Sequence, residues 1–311
     1  MHLVFVMDPV STVIVDEDTS FALMLEAQDS GHRVDHCGAH DLCLRDGRLF
    51  ARVRRATMER DPDTPIRLDR AEEVCLHNVD AVFIRKDPPF DRAYLWCTLM
   101  LDRVVTETLV VNRPSGLRAA NEKLYACSFP ELMPATLVAA GKDRIREFVE
   151  DVGGRAVIKP LDGAGGEGVM ALASDDLNFN AIIEAATRNG RRVAMVQAFL
   201  PEVSSGDKRI LLLDGEPLGA ILRIPQRGDV RSNIHVGGSV VSAQIDEADR
   251  RIIETVAPSL RRDGLFFVGL DVIGGHLTEV NVTSPTGIQQ MSRLDTQNYA
   301  SRVIAWTAER V

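Results

Sequence analysis

Asp271, Glu279 and Asn281 stand close together in a segment, Gly269–Pro285, that reads as two strands around Gly274-Gly275. A two-glycine turn between β-branched runs is a hairpin signal. Strand side chains alternate between faces, so Glu279 and Asn281 share one face, Val280 and Val282 take the other, and Asp271 lies across the turn. Two carboxylates and an amide oxygen are hard donors that suit Mg²⁺ or Mn²⁺ rather than zinc. Because Mg²⁺ commonly completes its shell with waters and nucleotide phosphates, a nucleotide is the expected second ligand.

Gly163-Ala164-Gly165-Gly166-Glu167-Gly168 has the spacing of a dinucleotide fingerprint, but that motif needs a helix after the loop, and Val169–Ala173 reads as a strand. A P-loop is excluded because no Gly-Lys-Ser/Thr follows. What remains is a surface turn, or a hairpin tip whose backbone N–H groups fold over phosphate oxygens. Lys159, at the end of the strand feeding the loop, favours the phosphate role. Lys123 taken alone is a solvated helix charge, and gains weight only from this context. Gln197-Ala198-Phe199-Leu200 is either a plain strand terminus or a hinge whose main-chain groups clamp adenine, with Asp207 beyond it placed to accept from ribose hydroxyls.

Arg209 and Arg223, on neighbouring strands, are either routine surface charges or guanidiniums that hold a carboxylate or developing negative charge. The polar, Gly-rich run Gln226–Ser239 is expected to be a lid that keeps water from a reactive intermediate. His36-Cys37-Gly38-Ala39-His40-Asp41-Leu42-Cys43 approaches metal-ligand spacing, but strand alternation scatters its ligands and no second CxxC element accompanies it, so zinc is set aside.

The elements that must hold these residues alternate strand and helix. Leu3–Met7 reads as a strand ending in Asp8-Pro9, Thr19-Ser20 as the cap of a helix that stops at Gly31, and Arg33–Cys37 as a second strand. An Arg-rich, Pro-punctuated stretch from about Gly47 to Pro65 carries no element signal, and Ala81–Ile84 is the next strand. This order predicts a parallel α/β unit. Ligands gather beyond the carboxyl ends of such strands, where Asp8 and Arg85–Asp91 fall. Helical spacing over 93–107 precedes the strand Leu109–Val111, and a further helix is expected around 117–128. A second α/β lobe then runs from Thr136 to Phe199. Beyond it come strands at Arg209–Leu213 and Leu218–Ile224, a helix at Glu247–Asp263 and the opening hairpin.

The chain has 311 residues, long enough for two or three subdomains sharing one cleft. Its formal charge of −9 argues against nucleic acid as a partner, since phosphate backbones are met by clustered Lys and Arg. No run approaches the ~18 apolar residues of a membrane span, and Met1–Pro9 lacks a basic leader. Five cysteines without CxxC pairs fit buried thiols in a reducing compartment. A cytoplasmic protein is expected.

With its glycine loop, two separated lysines, hinge and Asp/Glu/Asn set in this order, the chain resembles the ATP-grasp superfamily. Met7-Asp8-Pro9, Arg85–Asp91, Lys159–Gly163, Gly206–Arg209, Val268–Asp271 and Asn281–Gly287 are similar, from end to end, to the bacterial glutathione synthetase family. The resemblance implies an ATP-grasp fold preceded by an N-terminal parallel α/β (pre-ATP-grasp) domain, divided as 1–122, 123–200 and 201–311. It implies an ATP- and Mg²⁺- (or Mn²⁺-) dependent ligase joining γ-glutamylcysteine to glycine, and a homo-oligomer, often a tetramer. By the same resemblance, Lys123, Lys159, Gly163, Gly165 and Gly166 would contact ATP phosphates, Gln197–Leu200 would hold adenine with Asp207 near the ribose, and Asp271, Glu279 and Asn281 would bind the metal. Arg85, Arg209 and Arg223 would hold substrate carboxylates or the phosphorylated intermediate. Asp8, Ser20, Arg85, Asn233, Gly237, Gly238, Ser284, Pro285 and Thr286 would contact the peptide or amino-acid substrates. Two segments depart from the family pattern, Ile234-His235-Val236 in the long loop and Gln289-Gln290-Met291, where an acidic residue is expected. Both are expected to reshape the acceptor or thiol-peptide pocket. A sister ligase with another amine acceptor, and a nucleotide-binding protein that has lost catalysis, are the competing readings.

Overall fold

A computed structural model describes residues 1–226 and 239–311. Asn233, Gly237 and Gly238, the Ile234-His235-Val236 departure and most of the expected lid lie outside these residues. Three sheets organise the rest. In the first, Arg33–Cys37, His2–Met7, Ala81–Arg85 and Leu109–Val111 run parallel in that spatial order. Leu3–Val6 and Ala81–Ile84 are almost wholly buried, as near-continuous apolar runs in a doubly covered parallel sheet should be.

This parallel core is extended by antiparallel strands, one of them running through the Arg-rich stretch after Gly47. Leu42–Arg45, Arg48–Met58 and Ile66–Cys75 pair in a long meander beside Arg33–Cys37. Leu49, Ala51 and Val53 point inward while their arginine neighbours remain outside. The first helix also differs at its start. It spans Thr19–Asp29, and its cap is Asp18, whose carboxylate accepts from the Phe21 N–H at 2.7 Å. Thr19 and Ser20 lie buried in the first turn. The expected 93–107 helix ends at Leu101, and the 117–128 region is two short helices, Pro114–Ala119 and Glu122–Ala126.

The second sheet is wholly antiparallel, in the order Met170–Ala173, Arg155–Pro160, Ala194–Ala198, Thr136–Ala139. The helices Lys142–Asp151 and Phe179–Thr187 close a core of its own, including Ile145, Val149, Ile158, Ile183 and Val196.

The third sheet orders Ser239–Ser242, Glu216–Ile224, Asp207–Leu213, Phe267–Ile273 and His276–Asn281, all antiparallel. Its central strand shows period-two packing: Ile210 and Leu212 face the helix Glu247–Asp263, while Leu211 and Leu213 join a cluster with the C-terminal helices Ile288–Asp295 and Tyr299–Ala308. Both clusters include residues of the first sheet as well, so the N-terminal and C-terminal regions share apolar cores. Asp207, Arg209, Arg223, Asp271, Glu279 and Asn281 of this sheet line the wall of a cleft.

Candidate active site

The Gly274-Gly275 turn, with φ of +56° and +78°, adopts the left-handed geometry that glycine permits, and it joins the two strands bearing the hard oxygens. Strand pairing sets Asp271 opposite Glu279 and Gly269 opposite Asn281. The Asn281 amide nitrogen donates to Asp271 Oδ2 at 3.2 Å and to the Gly269 carbonyl at 3.3 Å, which leaves its side-chain oxygen available as a ligand.

The same register logic brings in the arginines. Arg209 pairs opposite Asp271 and Arg223 opposite Asp207. Arg209 grips Asp271 through Nε at 2.5 Å and Nη2 at 3.0 Å, while Arg223 Nη2 meets Asp207 at 2.6 Å and Asp271 at 3.0 Å. Burial alone would push the Asp271 carboxyl up, but the Arg209 and Arg223 guanidiniums override it and hold the group well below the usual carboxylate range. Burial likewise opposes charge on Arg223, and Asp207 and Asp271 together raise it above its ordinary value. Both arginines thus meet the protein's own carboxylates, and the Asp207 carboxylate expected at a ribose is engaged by Arg223. Arg223 Nε is buried without an acceptor among the described residues, a donor suited to an anionic oxygen.

Two lysines form the opposite wall. Lys123 follows the helix cap Asn121 and is buried; its Nζ donates to Glu279 Oε1 at 3.0 Å and to the Gly163 carbonyl at 2.7 Å. Lys159 Nζ donates to Gln197 Oε1 at 2.6 Å, and burial pulls its ammonium below the ordinary lysine value despite the nearby Glu279. Between them the loop Gly163–Glu167 turns through an Ala164 to Glu167 hydrogen bond of 3.0 Å, with positive φ at Gly165 and Gly166. At the hinge, the N–H groups of Ala198 and Phe199 are used by the carbonyls of Ala135 and Arg155. Among the described residues, Leu200 therefore carries the hinge amide open to a ligand edge.

All of these groups line one cleft of ≈ 410 Å³, together with Asp87, Pro88, Glu122, Ser284, Pro285 and Thr286, a volume ordinary for a small-molecule site. Its oxygen set passes the test for a hard divalent cation. Asp271, Glu279 and Asn281 lie on paired strands and line the same cleft, a set of hard oxygen donors of the kind that Mg²⁺ or Mn²⁺ takes. Three proposed substrate residues stand apart from the cleft lining. Asp8 binds the Asp87 N–H at 2.8 Å and Lys86 at 3.5 Å, at the carboxyl edge of the first sheet. Arg85 is buried, donating to Ser20 Oγ at 3.0 Å and the Pro285 carbonyl at 3.1 Å. Gln289 faces away as well. Its amide nitrogen donates at 2.7 Å to the carbonyls of Val15 and of Asp18, so this side chain ties the helix Ile288–Asp295 to the N-terminal region.

Glu122 was missed by sequence reasoning. It accepts hydrogen bonds from Val282 and Thr283, and burial, with the like charge of Glu279, pushes its carboxyl up. Its Val282 partner is 160 residues away, so no local signal could have revealed it.

The prokaryotic glutathione synthetase N-terminal domain matches residues 1–118, and the ATP-grasp domain of the same enzymes matches residues 122–296. A glutathione synthetase of Thermosynechococcus vestitus is 46% identical over 98% of this chain and 99% of its own length. One from Gloeobacter violaceus is 47% identical over 99% and 97%. Among solved structures, the D-cycloserine synthetase DcsG aligns with a TM-score of 0.66 at 16% identity, covering 98% of this chain and 99% of that one. The ATP-grasp ligase PsnB, complexed with a precursor variant, Mg and ADP, aligns at 0.67 and 14% over 99% and 97%. These two likenesses establish the shared fold. From sequence match and architecture together, the chain belongs to the prokaryotic glutathione synthetase family of ATP-grasp ligases.

Proposed function

We propose that this protein joins γ-L-glutamyl-L-cysteine to glycine, forming glutathione, ADP and phosphate, with Mg²⁺ or Mn²⁺ as its metal. The observation that carries the reading is the convergence of Lys123, Lys159 and the glycine loop on Asp271, Glu279 and Asn281 in a single cleft. A carboxylate is a poor electrophile because its charge is delocalised. Transfer of the ATP γ-phosphoryl group to the cysteinyl carboxylate gives an acyl phosphate. The glycine amine then attacks the acyl carbon, the C–N bond forms as phosphate leaves, and the amine releases its proton to solvent.

Each part of the cleft has work in this scheme. Leu200 N–H and the apolar hinge would seat the purine. Lys123 and Lys159 would neutralise phosphate oxygens, and the amides at Gly163, Gly165 and Gly166 would cover them. Asp271, Glu279 and Asn281 would hold the metal, which when bound neutralises the transferring phosphoryl group. Arg223 Nε, with Arg209, would receive charge on the acyl phosphate. Ser284, Pro285 and Thr286 lie on the acceptor side. Residues 1–122 would then serve chiefly peptide binding, 123–200 nucleotide covering and 201–311 metal binding. A cytoplasmic homo-oligomer, with a tetramer as the expected form, fits the family; among the described residues no helix is long and apolar enough to cross a membrane.

The test supplies ATP and γ-glutamylcysteine with and without glycine, following ADP and tripeptide. Tripeptide must appear only when all three are present. ADP release that tracks a different amine would move the reading to a related carboxylate-amine ligase, and no ADP release with any γ-glutamyl dipeptide would refute it.

A further inference from the structure

The proposed chemistry needs Lys123 and the metal-binding oxygens at a fixed separation, yet Lys123 and Glu279 are 156 residues apart. One side chain spans the gap. Glu122 Oε1 accepts from the Val282 N–H at 3.0 Å, the Thr283 N–H at 3.0 Å and the Thr283 hydroxyl at 2.7 Å. Val282 and Thr283 follow Asn281, where the strand ends, so their N–H groups have left the ladder and need other acceptors. Lys123 follows Glu122 in the same short helix. The grip is reinforced from behind. Asn112 Nδ2 donates to the Val282 carbonyl at 2.7 Å, and the same side chain holds the Phe267 carbonyl at 2.8 Å and the Phe267 N–H at 2.7 Å, at the start of the strand bearing Asp271.

A buried carboxylate is costly unless several donors converge on it. Here three donors converge, and all come from the two residues beyond a metal-binding side chain. The geometry points to Glu122 as a positioning residue that sets Asn281 and Glu279 against Lys123, so that divalent cation and nucleotide phosphates meet a gap of preset width. It acts through the Val282–Thr283 backbone, and a displacement of about 1 Å there is enough to cost roughly a hundredfold in a site of this kind. This inference rests on the metal-nucleotide reading of the cleft, and the experiment separates the two.

The full chain and the variants Glu122→Ala, Glu122→Gln and Thr283→Val are titrated with Mn²⁺ in the presence of a saturating non-hydrolysable ATP analogue, reading free Mn²⁺ by electron paramagnetic resonance well below each melting temperature. Partners that orient metal ligands are worth about 10–100-fold in metal affinity. Glu122→Ala should weaken Mn²⁺ binding by that factor. Glu122→Gln keeps an accepting oxygen with bonds roughly half as strong and should stay within about fivefold of wild type. Thr283→Val removes one donor and should fall between wild type and Glu122→Ala. Mn²⁺ affinity in Glu122→Ala within twofold of wild type overturns the assignment, as does Glu122→Gln being as weak as Glu122→Ala. Should the alanine variant fail to fold, unchanged affinity in Thr283→Val overturns it instead. A wild-type chain that binds no Mn²⁺ with the analogue would sink the metal-nucleotide reading itself.

Discussion

Removing the negative charge of Asp271 should cost stability before it costs catalysis. Asp271 is 5% exposed and Arg209 6%, joined by two hydrogen bonds. In Asp271→Asn the Arg209 guanidinium stays buried with neutral acceptors alone, the new amide oxygen and the Thr286 carbonyl at 3.2 Å, and loses its paired anion, whereas Arg223 keeps Asp207. Breaking a buried pair by removing one partner costs about 3–5 kcal/mol because the other charge is left uncompensated. Arg209→Met should cost less, about 1–3 kcal/mol, since Asp271 retains Arg223 and Asn281. The double variant removes the orphaned cation and should recover at least about 1.5 kcal/mol of the summed loss. Urea unfolding in EDTA, followed by the fluorescence of Trp306, reads this directly, because Trp306 packs on Phe266 beside the Asp271 strand with ring centroids 5.3 Å apart. Additivity of the two single effects to within about 0.5 kcal/mol would refute the argument.

Glu279→Gln removes a carboxylate whose ion-pair partner among the described residues is the buried Lys123, so turnover should fall about a hundredfold or more, while Lys123 keeps the Gly163 carbonyl and an amide oxygen as acceptors and the loss of urea stability should stay below the ~3 kcal/mol of a fully broken buried pair; a loss confined to stability would remove Glu279 from the metal set. Gly163→Ala would set a Cβ 2.8 Å from the Glu167 carbonyl oxygen and 2.7 Å from Pro160, forcing the loop to shift. KM for ATP should rise about tenfold or more, and an unchanged KM would show that the loop does not cover the phosphates. Burial pushes the Asp35 carboxyl up, but hydrogen bonds from His2 at 2.7 Å and Arg33 at 2.8 Å hold it below its ordinary 3.8. A depressed acid contributes stability that is complete above 3.8 and is lost as pH falls through its folded value. The stability gap between wild type and Asp35→Asn should therefore shrink on acidification below that point, and a gap that widens there would contradict the sign.

Legibility followed locality. The Gly274-Gly275 hairpin could be read directly, because turn chemistry and alternation act over a few residues. The strand after the glycine loop was legible for the same reason, and it ruled out dinucleotide binding before any fold was seen. The Arg48–Met58 strand was not legible. Its inward set of Leu49, Ala51 and Val53 is short and interleaved with arginines, and an apolar partner across the sheet is needed to bring out the pattern. The helix cap was misread by one residue: Asp18, Thr19 and Ser20 are all good capping types, and only the backbone path decides which side chain reaches back to the amides.

By itself the sequence determined which residue types can bind a cation, a phosphate or an anion, and which of them belong to the same strand, since strand periodicity is a property of the chain alone. Only the tertiary structure decided which of those charges meet. Sheet register placed Arg209 on Asp271 and Arg223 between Asp207 and Asp271, and domain packing placed Glu122 against the Val282–Thr283 backbone. These partners are 16 to 160 residues apart, and the energy that joins them comes from burial of surrounding apolar surface, which no local pattern records.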